Sequence, residues 1–109
     1  MGRLMANQGY AVKVGIVLKG HSVSHEIDVW AERDDEVIMM ECKYHNRAEV
    51  KSDVNVPMYI LSRYVDVKKQ WEKENGGGKK TLSVWIATNT QFSTDAIDFA
   101  RSYGITLLA

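Results

Sequence analysis

The chain has 109 residues, 45% hydrophobic and 26% charged, a balance that excludes a disordered polymer and leaves room for one domain with its own core. Fourteen basic residues offset fourteen acidic ones, which excludes a domain that holds nucleic acid by bulk positive charge and makes any basic surface local. A single cysteine rules out an intrachain disulfide and a cysteine-built zinc site, as expected of a reducing, cytoplasmic setting. The opening run MGRLMANQGY lacks the apolar centre of a signal peptide. No later apolar run approaches the roughly 20 residues that span a bilayer, so neither export nor a membrane partner is expected.

In chain order, Arg3 to Gln8 reads as the end of a helix stopped by Gly9. With only Met1 and Gly2 before it, the start is that expected of a single domain excised from a larger protein. Tyr10 to Leu18 alternates and is rich in β-branched residues, as a strand should be. Two further strands, Ile27 to Ala31 and Val37 to Cys42, are joined by a tight polar turn at Asp34-Asp35. From Asn55 to about Glu74 the period changes: Pro57, Ile60, Tyr64, Val67 and Trp71 share one face of an amphipathic helix. Pro57 is tolerated near the start, where first-turn amides lack intrahelical partners. The Gly76-Gly77-Gly78 run with Lys79-Lys80 is a loop, and Thr81 to Ala87 a buried strand. Ser93 caps a helix through Tyr103, Gly104 ends it, and Ile105 to Leu108 is a last short strand. The order α-β-β-β-α-β-α-β predicts an α/β fold with a mixed sheet and helices on both faces.

The chemistry sits in the hairpin. With the turn at Asp34-Asp35, Asp28 opposes Glu41, Glu26 opposes Lys43 and Trp30 opposes Met39, while Ile27, Val29 and Ala31 share the other, apolar face with Ile38, Met40 and Cys42. Opposed carboxylates with Cβ atoms about 5 Å apart repel, at a cost of roughly 0.2–1 kcal/mol. A hard divalent cation such as Mg²⁺ offsets that repulsion, because it takes oxygen ligands from one or two carboxylates plus water and phosphate. Lys43, on the same face, adds a positive group for a phosphate or an attacking water. On spacing alone the cluster reads equally as a solvated face with Glu26 and Lys43 as an ordinary cross-strand pair.

Ile27-Asp28-Val29 followed on the next strand by Glu41-Cys42-Lys43 resembles the PD-(D/E)XK nuclease signature, in particular its Mrr-like restriction endonuclease branch. LMANQGYAV is similar to the first helix of that branch, and VWIATNTQFSTDAIDFARSYGITLL to its strand-helix-strand ending. The runs SHEIDV, ECKYHN and DVNVPMYILSRY also resemble prokaryotic nuclease domains attached to an ATP-cone domain. The resemblance implies a restriction-endonuclease-like αβββαβ core with a C-terminal helix and strand added. It further implies a DNA endonuclease that hydrolyses phosphodiesters with metal-activated water, Mg²⁺ being the cofactor and Mn²⁺ a substitute. Asp28 and Glu41 would be ligands, the Cys42 carbonyl a further one, and Lys43 would position or polarise the water. Many relatives add a Glu from the first helix, whereas no acidic residue here precedes Glu26. Glu26 is then the auxiliary carboxylate, or that group lies upstream, or the site is weaker. Ile27 stands where the signature has proline, a variable position in the family.

His25, Tyr44 and His45 flank the motif strands and are candidate DNA contacts, as are Lys79 and Lys80 on their glycine loop. The plainer readings are exposed loops and a solubilising lysine pair. The Cys42 side chain is expected to be a buried, inert thiol, and Tyr64 and Trp71 core residues. Cutting both strands calls for two sites, hence an expected homodimer, with a fused or associated ATP-cone or DNA-binding domain supplying target choice. The alternative function is a non-catalytic nuclease-fold module that binds nucleic acid or a nucleotide-sensing partner domain.

Overall fold

The computed structural model describes residues 2–109, Leu4 through its backbone only; Met1 lies outside them. Its elements follow the expected order: α1 (Gly2–Asn7), β1 (Ala11–Lys19), β2 (Ser24–Arg33), β3 (Glu36–Lys43), α2 (Asn55–Glu74), β4 (Thr81–Thr88), α3 (Thr94–Tyr103) and β5 (Thr106–Leu108). The five strands lie side by side in sequence order. β1, β2 and β3 form an antiparallel meander, then β4 and β5 join in parallel after the crossovers through α2 and α3. No helix among the described residues is long and apolar enough to cross a membrane.

Local chemistry explains the boundaries. Asp34 takes a left-handed conformation (φ 55°) in the β2–β3 turn, which aspartate tolerates better than most residues, and the flanking Arg33 and Glu36 pair. The Asp53 carboxylate accepts from the Asn55 amide at 2.9 Å and starts α2, leaving Pro57 in the first turn where no amide is needed. Ser93 accepts from the Ala96 amide, and Gly104 closes α3 at φ 70°.

α2 and α3 cover one face of the sheet. Val67 of α2 packs there with Ile27, Trp30, Val37, Met39 and Leu82, and Ile60 packs with Val84, Ile86, Ala96 and Ala100. The opposite face packs Val29, Ala31, Ile38 and Met40 against Met5 of α1. Two expectations are corrected here. The face that carries Trp30 and Met39 is a buried apolar layer under α2, with its polar chemistry confined to one end. Ile27 belongs to that layer rather than to the face of Val29 and Ala31, because both strands of the first hairpin change faces between Val14↔Val29 and Ile16↔Ile27. Gly15 sits at the change with φ 62°, a conformation that favours glycine, and it stands across from Asp28. The interruption aims Asp28 toward β3.

The β1–β2 loop is tied to α2 through Asp66. Its carboxylate accepts from the amides of Ser22 and Val23 and from His25 Nε2, the last at 2.7 Å, and its backbone carbonyl accepts from His21. The His25 bond, ahead of the loop amides, holds the Asp66 carboxyl well below the usual carboxylate range. Gly20 fits beneath this lock: a Cβ there would lie 2.3 Å from Asp66 Oδ2 and 2.5 Å from the Val23 carbonyl. Gly20→Ala is therefore expected to cost about 1–3 kcal/mol by overpacking. Urea denaturation measures the loss, and unchanged stability would show that the loop is not locked.

Candidate active site

The β2–β3 ladder ends at Val29↔Met40. Beyond that pair β3 continues alongside β4 through Lys43↔Thr88, while β2 stays with β1 out to Lys19↔Ser24. The two motif strands thus part company, and three side chains fill the opening. Asp28 Oδ2 accepts from the Cys42 amide at 2.8 Å, so a side chain takes the place of the missing ladder bond. Arg63 reaches in from α2: Nη1 donates to Glu41 Oε2 at 2.8 Å, and Nη2 donates to the Glu26 carbonyl. A cavity of about 260 Å³ adjoins them, lined by Glu41, Lys43, Asn55, Tyr59 and Arg63 among others.

Electrostatics single out Glu41. Its side chain is 6% exposed and that of Arg63 15%. Burial pushes the Glu41 carboxyl above its ordinary value, Arg63 pulls it back, and the nearby Asp28 charge pushes it up again. Glu41 Oε2 is satisfied by Arg63, whereas Oε1 is buried with no hydrogen-bond partner among the described residues. A buried acceptor left open costs stability and needs an explanation. The half-buried Cys42 thiol, pushed up chiefly by burial, packs at the edge of the α1-side core. The expectation of a buried thiol is thus corrected to a half-buried one.

The remaining expected site residues fall in different places. Lys43 is exposed at the C-terminal end of β3, on the rim of the cavity, followed by an exposed Tyr44. The Glu26 side chain is exposed, and its backbone rather than its carboxylate is what meets Arg63. His25 does not face a ligand, because Asp66 holds its Nε2 and its side chain is 10% exposed. His45 also turns inward: its Nε2 meets Ser52 Oγ at 2.8 Å, Ser52 continues to Thr88, and Asn89 bonds the His45 backbone on both sides. Lys79 and Lys80 precede β4, whose first residue pairs with Glu36 at the opposite end of β3 from Lys43. At about 3.3 Å per residue that is roughly 23 Å away, and Lys80 pairs with Glu32 there. These two lysines are not part of the cleft.

Ser52 is fully buried and joins the loop after β3 to the end of β4. Ser52→Ala leaves His45 and Thr88 short of a partner, and is expected to cost about 1–3 kcal/mol in chemical denaturation. A neutral result would show that the His45 bond adds nothing to the loop.

Arg63 is the residue that sequence reasoning missed. It sits off the apolar stripe of α2 and reads there as one of several solvated charges; an arginine three residues after an apolar stripe position was the sole signal. Among the described residues no three or more His, Cys, Asp or Glu side chains gather as a metal site. The donor set at the cleft is smaller: the Asp28 carboxylate, the open Glu41 Oε1 and the carbonyl of Cys42. Such a set fits Mg²⁺, which binds through one or two carboxylates and fills its remaining positions with water and phosphate.

Fold and cleft together define a mixed α/β domain with a carboxylate-bearing opening between two strands of its sheet. An uncharacterized protein of Archaeoglobus fulgidus is 38% identical over 107 residues, a match that covers 98% of this chain and 56% of that protein. The crystal structure of a protein of unknown function superposes with a TM-score of 0.84 at 40% identity, over 97% of this chain and 52% of the other. The chain therefore spans about half the length of these relatives. No protein-family model matches it.

Proposed function

We propose that this domain is a divalent-metal-dependent DNA endonuclease of restriction-endonuclease-like fold, hydrolysing phosphodiesters with water as the nucleophile. The observation that supports the reading is the opening itself, where Glu41 and Lys43 line one cavity, Asp28 bonds the Cys42 amide between them, and Glu41 Oε1 is buried without a hydrogen-bond partner among the described residues. Asp28, Glu41 and the Cys42 carbonyl would hold Mg²⁺, which supplies Lewis acidity toward the phosphate and a more acidic water. The Cys42 amide fixes the Asp28 carboxylate, and Arg63 fixes that of Glu41, so neither must reorganise when substrate arrives. Exposed Lys43 is free to place its ammonium against a phosphate oxygen, where it offsets the charge that builds up as water attacks phosphorus and the bridging P–O bond breaks. Two such domains acting as a homodimer would cut both strands, and the longer relatives leave room for a DNA-binding or ATP-cone domain that chooses the target.

The second reading, a nuclease-fold module that binds nucleic acid or a nucleotide-sensing partner without cutting, is favoured by Arg63 already pairing with Glu41. Titrating Mg²⁺ and Mn²⁺ into the protein with supercoiled, linear and single-stranded DNA, and with RNA, separates the two. Metal-dependent DNA cutting that a chelator abolishes is the expected result. Retention of DNA without cutting at any metal concentration would transfer the assignment to the second reading, and loss of both activities would sink the pair.

A further inference from the structure

A half-buried arginine paired with an almost fully buried carboxylate beside a proposed cation site is an odd choice. Taking two charges out of water costs several kcal/mol per ion, and a well-packed apolar pair is often as stable. Arg63 also occupies the place a cation would want, since it neutralises the one carboxylate in the cleft that is almost fully buried. Its geometry is specific. One nitrogen takes Glu41 Oε2, another takes the Glu26 carbonyl where β2 leaves the ladder, and Oε1 alone stays open.

We infer that Arg63 is a resident cation of the cleft: it permanently occupies half of the Glu41 carboxylate, so that a divalent cation enters only through Oε1 and Asp28 and is held weakly. Arg63 is thus a positioning residue that caps the site's affinity for metal. A guanidinium held in the cleft repels an incoming divalent ion, and the Glu41 charge shared with it is not fully available to that ion. The inference rests on the metal-dependent reading only for the kind of ion it names.

Calorimetric titration of Mn²⁺ without nucleic acid tests it, on wild type, Arg63→Gln, Arg63→Lys and the double variant Arg63→Gln/Glu41→Gln. Glutamine removes the charge yet keeps a side-chain donor, and the double variant leaves no uncompensated buried charge; circular dichroism checks that each folds. Removing the charge is expected to tighten Mn²⁺ binding by about tenfold or more. Lysine, which keeps the charge, should leave the affinity near that of wild type, and the double variant, which has lost the Glu41 ligand charge as well, should bind Mn²⁺ more weakly than wild type. Unchanged or weaker binding by Arg63→Gln would overturn the inference, as would an equal gain in Arg63→Lys. Should Arg63→Gln fail to fold, a double variant that binds Mn²⁺ as well as wild type overturns it too, since Glu41 would then not be the ligand.

Failure here and failure of the nuclease reading look different. Wild type that cuts DNA with metal, beside an Arg63→Gln variant with no gain, removes the inference alone. Wild type that neither cuts nor binds Mn²⁺, beside a variant that gains a site dependent on Glu41, leaves Arg63 as the cation and removes the nuclease reading. Absence of Mn²⁺ binding in every form removes both.

Discussion

Replacing Asp28 with asparagine is expected to slow metal-dependent DNA cleavage by about 10³-fold, equivalent to about 4 kcal/mol of transition-state stabilisation. The fold should survive intact. Asparagine keeps an oxygen where Asp28 Oδ2 accepts from the Cys42 amide, so the split between β2 and β3 holds. What it loses is the charge, and with it a hard anionic ligand. The change also relieves the repulsion that pushes the Glu41 carboxyl up. Without metal, then, Asp28→Asn should melt at or slightly above the wild-type temperature, and added Mg²⁺ should raise that temperature less than in wild type. Asp28→Ala makes the contrast: it leaves the Cys42 amide unpaired and should cost about 1–3 kcal/mol as well as the activity. Cleavage rates across a Mg²⁺ series, with tryptophan fluorescence to follow melting, settle the point. An Asp28→Asn protein that cuts at the wild-type rate removes Asp28 from the site.

Elements whose signals are local were legible. The stripe from Pro57 to Trp71 gave α2, Ser93 and Gly104 gave α3, and the Asp34-Asp35 turn gave the register from Arg33↔Glu36 to Val29↔Met40. The same alternation rule failed at Gly15 and Asp28, since it assumes an unbroken pleat and a glycine amid β-branched residues does not announce a positive φ. Asp28 and Glu41 were expected as a ladder pair; the strands separate at that step, and the Asp28 side chain bonds the Cys42 backbone instead. Partners far apart in sequence were out of reach. Arg63 meets Glu41 across 22 positions and His25 meets Asp66 across 41, and both meetings depend on where α2 crosses the sheet. Lys79 and Lys80 seemed available to the site because a loop's place depends on which end of β4 it feeds. Parallel pairing of Thr81 with Glu36 puts them at the wrong end.

Arg63→Met is expected to be the most destabilising single change at the cleft, by about 3–5 kcal/mol near neutral pH, because it leaves the Glu41 charge buried and uncompensated. Set against a typical domain stability of about 5–15 kcal/mol, that loss brings the protein near its threshold. Changing both partners, Arg63→Met with Glu41→Leu, should restore most of it, falling short by about 1 kcal/mol for the Glu26 carbonyl that no longer has a donor. The deficit of the single variant should also depend on pH. Burial raises the folded-state pKa of Glu41 above its ordinary value of 4.5, and losing Arg63 removes the charge that lowers it, so the shift grows. A folded state that binds a proton more tightly than the unfolded chain gains stability as pH falls. That gain is complete below the unfolded pKa of 4.5 and is lost as pH rises through the raised folded value. Arg63→Met should therefore lie closer to wild type in urea denaturation at about pH 5 than at about pH 7.5, with no such narrowing in the double variant. A deficit of equal size at both pH values would mean that Glu41 is not the group left exposed to the penalty, and that Arg63 stabilises the domain through its packing and its bond to Glu26 alone.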